Sequence, residues 1–226
     1  MARRLIDYVI SITALIVLSP LFILATAGIR ICSAGPVLYR AKRAGRYGKI
    51  FTMYKFRTMH VRQDGYASAI AAKNDPRVFA FGLWLRRLKI DELPQLFNVL
   101  RGEMAIVGPR PEDPRIVDEY YSKEHMETLT VLPGLASPGS IYNYTHGERL
   151  LSAENTEKQY VEQVMPVKLA LDIVYVREAS VVYDLKIILR TMRVIFAIAL
   201  GKRDFADPPE MIKAANKQSR VATKTA

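Results

Sequence analysis

Cysteine is nearly absent. Of 226 residues only Cys32 is one, so no intrachain disulfide framework exists and a reducing compartment suits the chain. Histidine is scarce as well, and His60, His125 and His146 are scattered without zinc-type ligand spacing. No P-loop, GxGxxG or GxSxG run occurs, which leaves the corresponding phosphate-cradle, dinucleotide and nucleophile-elbow mechanisms without support. Acidic residues are in deficit, 22 against 33 lysines and arginines, for a formal charge of +11 and a pI near 9.8. Such a balance points to a polyanionic partner, whether nucleic acid, an anionic membrane surface or phosphorylated substrates. Half of the residues are hydrophobic, enough for a sizeable core in one domain with an appendage. There are no internal repeats.

The apolar residues are unevenly spread. Tyr8 to Ile29 carries no charge, and at about 1.5 Å per residue a straight helix of that length would just cross a bilayer core. Ser19–Pro20 falls in its middle, where proline removes a backbone hydrogen bond and kinks the helix. Both flanks are basic, with Arg3 and Arg4 before and Arg30, Arg40, Lys42, Arg43, Arg46 and Lys49 after. The positive-inside rule draws each flank to the cytoplasmic side, and a single span satisfies only one. A helix that enters, breaks at Ser19–Pro20 and returns satisfies both, with the Ser19 hydroxyl as a local partner for the exposed backbone. A tilted span, a cleaved signal peptide ending near Ala25–Thr26–Ala27 and a buried core helix are the rival readings.

Further on, Gly35–Pro36 reads as a turn, Val37–Arg40 as a short strand, Gly45–Gly48 as a turn and Ile50–Arg57 as a second strand, together a β-hairpin. Alternation puts Lys55 and Arg57 on one strand face, either a phosphate clamp or a solvated edge. His60 to Arg77 is polar and irregular. Phe81 to Gly102 reads as two helical pieces separated near Asp91–Glu92. Pro94 fits a first helical turn, Leu93, Leu96, Phe97 and Leu100 keep helical spacing, and Gly102 is a natural stop. The two carboxylates therefore fall at a helix start with Arg86, Arg87 and Lys89 just before them. That setting suits a nucleophile or a metal ligand beside a phosphate, or simply a capping acid. Gly108–Pro109–Arg110–Pro111–Glu112 holds an arginine between two prolines, a rigid presentation for bidentate phosphate binding or a rigid surface turn. Leu132–Pro133–Gly134 and Ser137–Pro138–Gly139 bracket a loop reaching Tyr142 and Tyr144. Lys168 to Leu200 is helical with a break around Arg177–Tyr183, and Lys186, Arg190 and Arg193 form a basic stripe suited to a membrane interface or to the outside of a core helix. Beyond Gly201 the polar, basic chain is expected to be a mobile tail.

In order, Ser19–Pro20, Gly35–Pro36–Val37, Arg43, Gly45 and Gly48, Met53–Tyr54–Lys55–Phe56–Arg57–Thr58–Met59, Asp91–Glu92–Leu93–Pro94–Gln95, Gly108–Pro109–Arg110–Pro111–Glu112, Pro133–Gly134 and Asp184–Leu185–Lys186 resemble the bacterial sugar transferase family, the monotopic polyprenyl-phosphate phosphoglycosyl transferases. The resemblance covers roughly residues 5 to 200 and matches the family's small, single-unit form. It implies an α+β, mostly helical monotopic membrane protein on the cytoplasmic face of the bacterial inner membrane. The expected units are a re-entrant helix over 1–33, a catalytic domain with a short β-hairpin and interfacial helices over 34–200, and the tail over 201–226. It also implies transfer of a phosphosugar from a UDP-sugar to polyprenyl phosphate, with UMP released. By this resemblance Asp91 is the nucleophile of a covalent phosphosugar intermediate and Glu92 its dyad partner. Mg2+ assists, held by Asp91 and Glu92, and Lys55, Arg57, Arg86, Arg110 and Glu112 contact substrate.

Two positions depart from the family pattern. Lys89–Ile90 stands where a small hydroxyl residue and leucine are usual, adding a cation near the dyad. Leu135–Ala136–Ser137 replaces the usual isoleucine–threonine–glycine, which weakens any inference about the sugar. A basic membrane-surface adaptor without catalysis is the alternative from another class, but it gives no reason for Asp91–Glu92. No nucleic-acid motif accompanies the positive charge, and membrane lipids are the expected surroundings.

Overall fold

In the computed structural model, which describes residues 2–61, 75–152 and 155–215, the N-terminal apolar segment forms α1 (Ala2–Val17) and α2 (Ser19–Cys32), bent by 61° at their junction. Pro20, in the first turn of α2, cannot donate to Ile16 O, and the Ser19 hydroxyl does so instead at 2.8 Å. The bend is thus set by proline and its freed carbonyl repaired by serine. No single helix among the described residues is long and apolar enough to cross a membrane, though the bent pair is by length and composition.

Both ends of this pair are fastened to the same body. Arg3 pairs with Asp184, Arg4 donates to the carbonyls of Val99 and Met104, and Asp7 accepts from the Ile106 N–H. At the other end Ser33, just after α2, receives two hydrogen bonds from Arg57. Between these anchors Val9, Ile12, Ile16, Val17, Ile23 and Leu24 are exposed.

The hairpin is present and longer than expected. β1 (Leu38–Ala44) pairs antiparallel with β2 (Ile50–Phe56), in register from Leu38↔Phe56 to Ala44↔Ile50. The first strand extends past Arg40 because the register continues to the Gly45–Lys49 turn, which Gly48 closes at φ +74°. After it come α3 (Ala80–Arg87), a tight turn Ile90–Glu92, α4 (Gln95–Leu100), β3 (Ala105–Val107) and α5 (Pro114–Tyr120). The irregular stretch His60–Arg77 lies mostly outside the described residues. A second, parallel pair joins β3 to β4 (Gly134–Ala136), where the sequence offered only an apolar run and a loop. Ser137 then caps α6 (Pro138–Thr145), its Oγ accepting the Ser140 N–H. Tyr142 and Tyr144 therefore sit on a helix, not in the expected loop: serine followed by proline is an N-terminal signal as well as a turn signal.

A short α7 (Thr156–Gln159) runs through one π-type turn into α8 (Met165–Glu178), and Ser180 caps α9 (Val181–Ala199) at the expected break. Val182, Leu185, Leu189, Met192 and Phe196 form an exposed apolar stripe along α9. Within residues 201–215, part of the stretch expected to be a mobile tail, Pro208 and Glu210 are buried. Glu210 is 4% exposed and binds Arg190 and Tyr183, a partnership that a composition-based reading of the tail has no means to detect.

Among the described residues four buried clusters hold the elements together, the smallest being Ala44, Val117 and Leu129. Met53, Leu96, Val99, Met104, Ile106 and Tyr175 form one, with Ile10 and Leu15 of α1 packed on it. Ile116, Tyr142, Val164, Leu169 and Leu171 form another, and in a third Ala25 and Ile29 of α2 pack with Phe56, Phe79, Leu85 and Ile90. Each large side chain so buried contributes about 1.5–3 kcal/mol. Gly82 lets α3 approach β2's continuation closely, since a Cβ there would lie 2.3 Å from Thr58 O.

Candidate active site

The central turn begins with Lys89 in the left-handed region (φ 55°), an uncommon conformation for a side-chain-bearing residue. Ile90–Glu92 follows as a single tight turn, and Leu93 and Pro94 carry helical angles onward into α4. Asp91 and Glu92 thus occupy a turn between α3 and α4, inside the molecule, at 7% and 9% exposure. Burial of adjacent acids is costly unless each finds compensation. They find it unequally.

Glu92 is fully engaged. Arg110 grips it with both terminal nitrogens, Nη1 at 2.9 Å from Oε2 and Nη2 on Oε1. Lys55 Nζ lies 3.4 Å from Oε1, and the Tyr144 hydroxyl 3.3 Å from Oε2. Burial alone would raise its pKa, but Arg110, Lys55 and Lys89 hold it well below the usual carboxylate range. Asp91 is the opposite case. Its Oδ1 is shut off from solvent and has no hydrogen-bond partner among the described residues. Burial, then the charge of Glu92, pushes its pKa up to about 6 against the pull of Lys55, Lys89 and Arg86. At neutral pH Asp91 is therefore mostly ionised, basic for a carboxylate and lacking a partner.

The surrounding cations come from four separate elements. Lys55 projects from β2, and burial lowers its ammonium to about 8. Arg86, on α3, is oriented by a 2.8 Å bond from Nε to the Thr58 hydroxyl. Lys89 sits 3.8 Å from the centre of the Tyr144 ring and 3.0 Å from Glu148 Oε1. Arg110 arrives on the proline-bounded loop after β3. Tyr144, reaching both Arg110 and Glu92 at 3.3 Å, is pushed up to about 12 by burial and by Glu92. It is a neutral hydroxyl donor at physiological pH.

Two of the expected substrate contacts are directed elsewhere. Arg57 shares the strand side of Lys55 but lies just past the end of β2, and its guanidinium is spent on Pro36 O, Ser33 O, Ser33 Oγ and Met59 O. It ties the end of α2 to the hairpin, so the pair do not form a shared clamp. Glu112 is drawn away from the dyad into a buried pair with Lys168, Oε2 to Nζ 2.7 Å, and also accepts from the Tyr160 hydroxyl. Its Oε1 accepts the Asp113 N–H. Lys168 and Tyr160 lie 56 and 48 residues downstream, so nothing local in the sequence announces them.

Asp172 of α8 supports the arrangement from behind. Its Oδ1 accepts the Gly139 N–H at 2.9 Å, and a Cβ on Gly139 would collide with Oδ2 at 2.6 Å. This glycine lets α6, the carrier of Tyr144, sit against α8. Tyr144 and Lys89 are the site residues whose roles residue patterns left open. Lys89 was visible only as an unusual cation before the dyad, and Tyr144 as one aromatic among several.

No cluster of three or more His, Cys, Asp or Glu side chains able to hold a metal occurs among the described residues. Any cation here would rest on Asp91 and on oxygens that a substrate brings, because both oxygens of Glu92 already face Arg110 and Lys55.

The family model described as bacterial sugar transferase matches residues 1–198. A UDP-glucose:undecaprenyl-phosphate glucose-1-phosphate transferase of Caulobacter vibrioides is 38% identical over 193 residues, covering 84% of this chain and 68% of that protein. The Escherichia coli enzyme of the same name is 36% identical over 192 residues, covering 84% of this chain and 39% of its own. A UDP-N-acetylgalactosamine-undecaprenyl-phosphate N-acetylgalactosaminephosphotransferase of Aeromonas hydrophila is 32% identical over 195 residues, with 85% and 43% covered. The chain thus spans about two fifths of the length of the latter two relatives.

Proposed function

The chain belongs to the bacterial sugar transferase family, and from that premise we propose that it moves a phosphosugar from a UDP-sugar to polyprenyl phosphate through a covalent intermediate on Asp91. One observation carries the reading: a buried, ionisable carboxylate with a free oxygen stands among four cations, beside a second carboxylate that is wholly neutralised.

Phosphoryl transfer needs a positioned nucleophile and compensation for phosphate charge more than it needs proton traffic. An Asp91 oxygen attacks the phosphorus bearing the sugar. The O–P bond forms as the bond to the UMP oxygen breaks, and UMP departs with the electron pair. A phosphate oxygen of the lipid then attacks the same phosphorus and releases the Asp91 carboxylate, so one site serves both substrates in turn. Lys55, Arg86 and Lys89 offset the negative charge of the diphosphate. Glu92 keeps Arg110 in a fixed orientation, and the Tyr144 hydroxyl braces that contact.

Mg2+ fits the donor chemistry on this chain's side: the partnerless Asp91 Oδ1 is a hard oxygen, and Mg2+ is commonly held by one or two carboxylates plus substrate phosphates. When bound it supplies charge neutralisation at the diphosphate. Asp91 would be the residue that holds it, with Glu92 acting through Arg110 and Lys55.

A lipid acceptor requires the site to lie at a bilayer. The 61° bend, the anchoring of both its ends to one body and the exposed apolar residues between them support a re-entrant α1–α2 pair. The apolar stripe of α9, flanked by Lys186, Arg190 and Arg193, supports an interfacial helix. With the basic flanks these support a catalytic face on the cytoplasmic side of the bacterial inner membrane. The adaptor alternative leaves the Asp91 arrangement without a purpose.

The test is mass spectrometry of the full chain mixed with Mg2+ and UDP-glucose or UDP-N-acetylgalactosamine, without lipid acceptor. An adduct of one phosphosugar mapping to Asp91, with stoichiometric UMP, is expected for at least one donor. Turnover without any adduct, or an adduct on Glu92, overturns the covalent assignment.

A further inference from the structure

The helix that leads into the dyad turn carries apolar residues on its outer side. In α3 Gly82 and Leu85 are buried, whereas Ala80, Leu83, Trp84 and Arg87 are exposed. Their spacing of i, i+3, i+4 and i+7 makes one outward stripe, apolar except at its last member. Leu83 is 52% exposed and Trp84 41%. The indole stacks on the Phe81 ring with 5.5 Å between centres, which fixes it at the surface.

Contacts join this stripe to a helix on either side. A Cβ on Gly28 of α2 would lie 2.3 Å from the Phe81 ring, so the two helices touch there, and Ile23 and Leu24 of α2 are exposed. On the other side Arg87 Nη2 donates to Ala199 O at 3.0 Å, tying the end of α3 to the end of α9, where Phe196 and Leu200 are exposed. Lys202 turns back onto this junction, its N–H bonded to Ala197 O at 2.9 Å, and the side chains of Lys202 and Arg203 are exposed. Asp204, the next acid along, pairs with Arg149. Cations therefore gather where the apolar stripe meets the dyad turn, and they offset the carbonyl ends of two helices that would repel an anion. Arg86, beside Arg87, already exerts its charge on Asp91. An exposed apolar strip that ends in cations suits a ligand with a long hydrocarbon chain and an anionic head.

We propose that this outer face of α3 is where the prenyl phosphate acceptor docks, with its phosphate on Arg87 and its first isoprene units along Trp84 and Leu83. The assignment rests on the transfer reading above, whose second step needs a lipid phosphate brought to the phosphosugar on Asp91. Arg87 is then a binding residue for the acceptor. Trp84 gives the chain a flat, fixed apolar surface at the level of the headgroups.

Trp84 is the only tryptophan in the chain, so its emission reports on this face directly. The experiment titrates the full chain in phosphatidylcholine nanodiscs with a polyprenyl phosphate, the matching uncharged polyprenol or phosphatidic acid, without UDP-sugar. A saturable change in emission is expected with polyprenyl phosphate alone. Arg87→Gln should raise the half-saturating mole fraction about tenfold or more, as loss of one charge-assisted contact does. Arg87→Lys should recover part of that loss. Leu83→Ser keeps every charge and should weaken binding about tenfold. In turnover assays Arg87→Gln should raise the KM for the lipid by the same factor, with kcat within threefold of wild type. An equal response to polyprenol or phosphatidic acid, or no saturable response at all, overturns the proposal. So do wild-type titration curves from both Arg87→Gln and Leu83→Ser. Wild type that binds polyprenyl phosphate in this way, yet forms neither adduct nor UMP with any donor, fails the transfer reading and leaves the docking site standing.

Discussion

Asp91 and Glu112 are both carboxylates, 7% and 9% exposed, both on short connections and both surrounded by cations and tyrosines. Around Glu112 the arrangement is closed. Lys168 and Tyr160 bind Oε2 and the Asp113 N–H binds Oε1, and Lys168 foremost among its partners offsets the effect of burial to hold its pKa below the usual value. Around Asp91 it is open. Glu92 takes the direct ion pairs, Asp91 is left with cations at longer range, and its pKa moves the other way. Closed networks of this kind fix geometry. An open one stores an unfavourable interaction, and strained or unmatched groups gather at functional sites. Burial and residue type do not distinguish the two; partner counting does.

The comparison is tested most severely by exchanging each acid for its amide. Asp91→Asn should lower turnover about 10⁴-fold or more and abolish the adduct, as loss of a nucleophile does, while the protein stays folded. Assays of UMP release with lipid acceptor check this, and substantial turnover would return Asp91 to an ordinary buried acid. Glu112→Gln should instead cost about 3–5 kcal/mol of stability, because Lys168 is left buried without its counter-charge. Denaturant unfolding measures that loss. A stable Glu112→Gln protein without activity would restore the expectation that Glu112 contacts substrate.

pH should separate the same two residues by the sign of the effect. The folded pKa of Asp91 lies above its unfolded value, so its stabilising contribution is present at low pH and lost as pH rises through about 6. Asp91→Asn should therefore be more stable than wild type at pH 8, with the gap closing between pH 6 and 4. Glu112 is shifted the other way, and its contribution is present near neutrality and lost as pH falls below the normal glutamate range. Turnover should also decline below about pH 6 as Asp91 is protonated. Unfolding curves across this range that run parallel for wild type and Asp91→Asn would remove the distinction. The smallest effect concerns the grip on Glu92. Arg110→Lys keeps the charge but loses the fork, and a fall in kcat of about tenfold with little change in midpoint is expected. Unaltered kinetics would show that charge alone suffices there.

Much of this was legible along the chain because its causes are local. Pro20 produces the bend and Ser19 repairs it within one helical turn. Glycine and alternation mark the hairpin, and Pro94 and Gly102 delimit α4. Asp91–Glu92 stood out by its neighbours, and Arg110 by the prolines around it. Arg57 and Glu112 were harder, since a charged residue in a motif looks the same whether it meets substrate or structure. Ser33 precedes Arg57 by 24 residues and Lys168 follows Glu112 by 56, distances over which no periodicity carries information. The β3–β4 pair, only three residues in each strand, was missed for the same reason.

By itself the sequence determined the bent apolar N-terminus, the positive charge, the rigid arginine loop and the adjacency of two acids, all of them consequences of covalent order, backbone restriction or side-chain type. Tertiary structure alone decided which acid is neutralised. Arg110, Lys55 and Tyr144 converge on Glu92 from a loop, a strand and a helix, and they leave Asp91 buried with an oxygen to spare. Side chains so far apart in sequence meet only when packing brings their elements together, and the electrostatic difference between neighbouring carboxylates is set by those meetings.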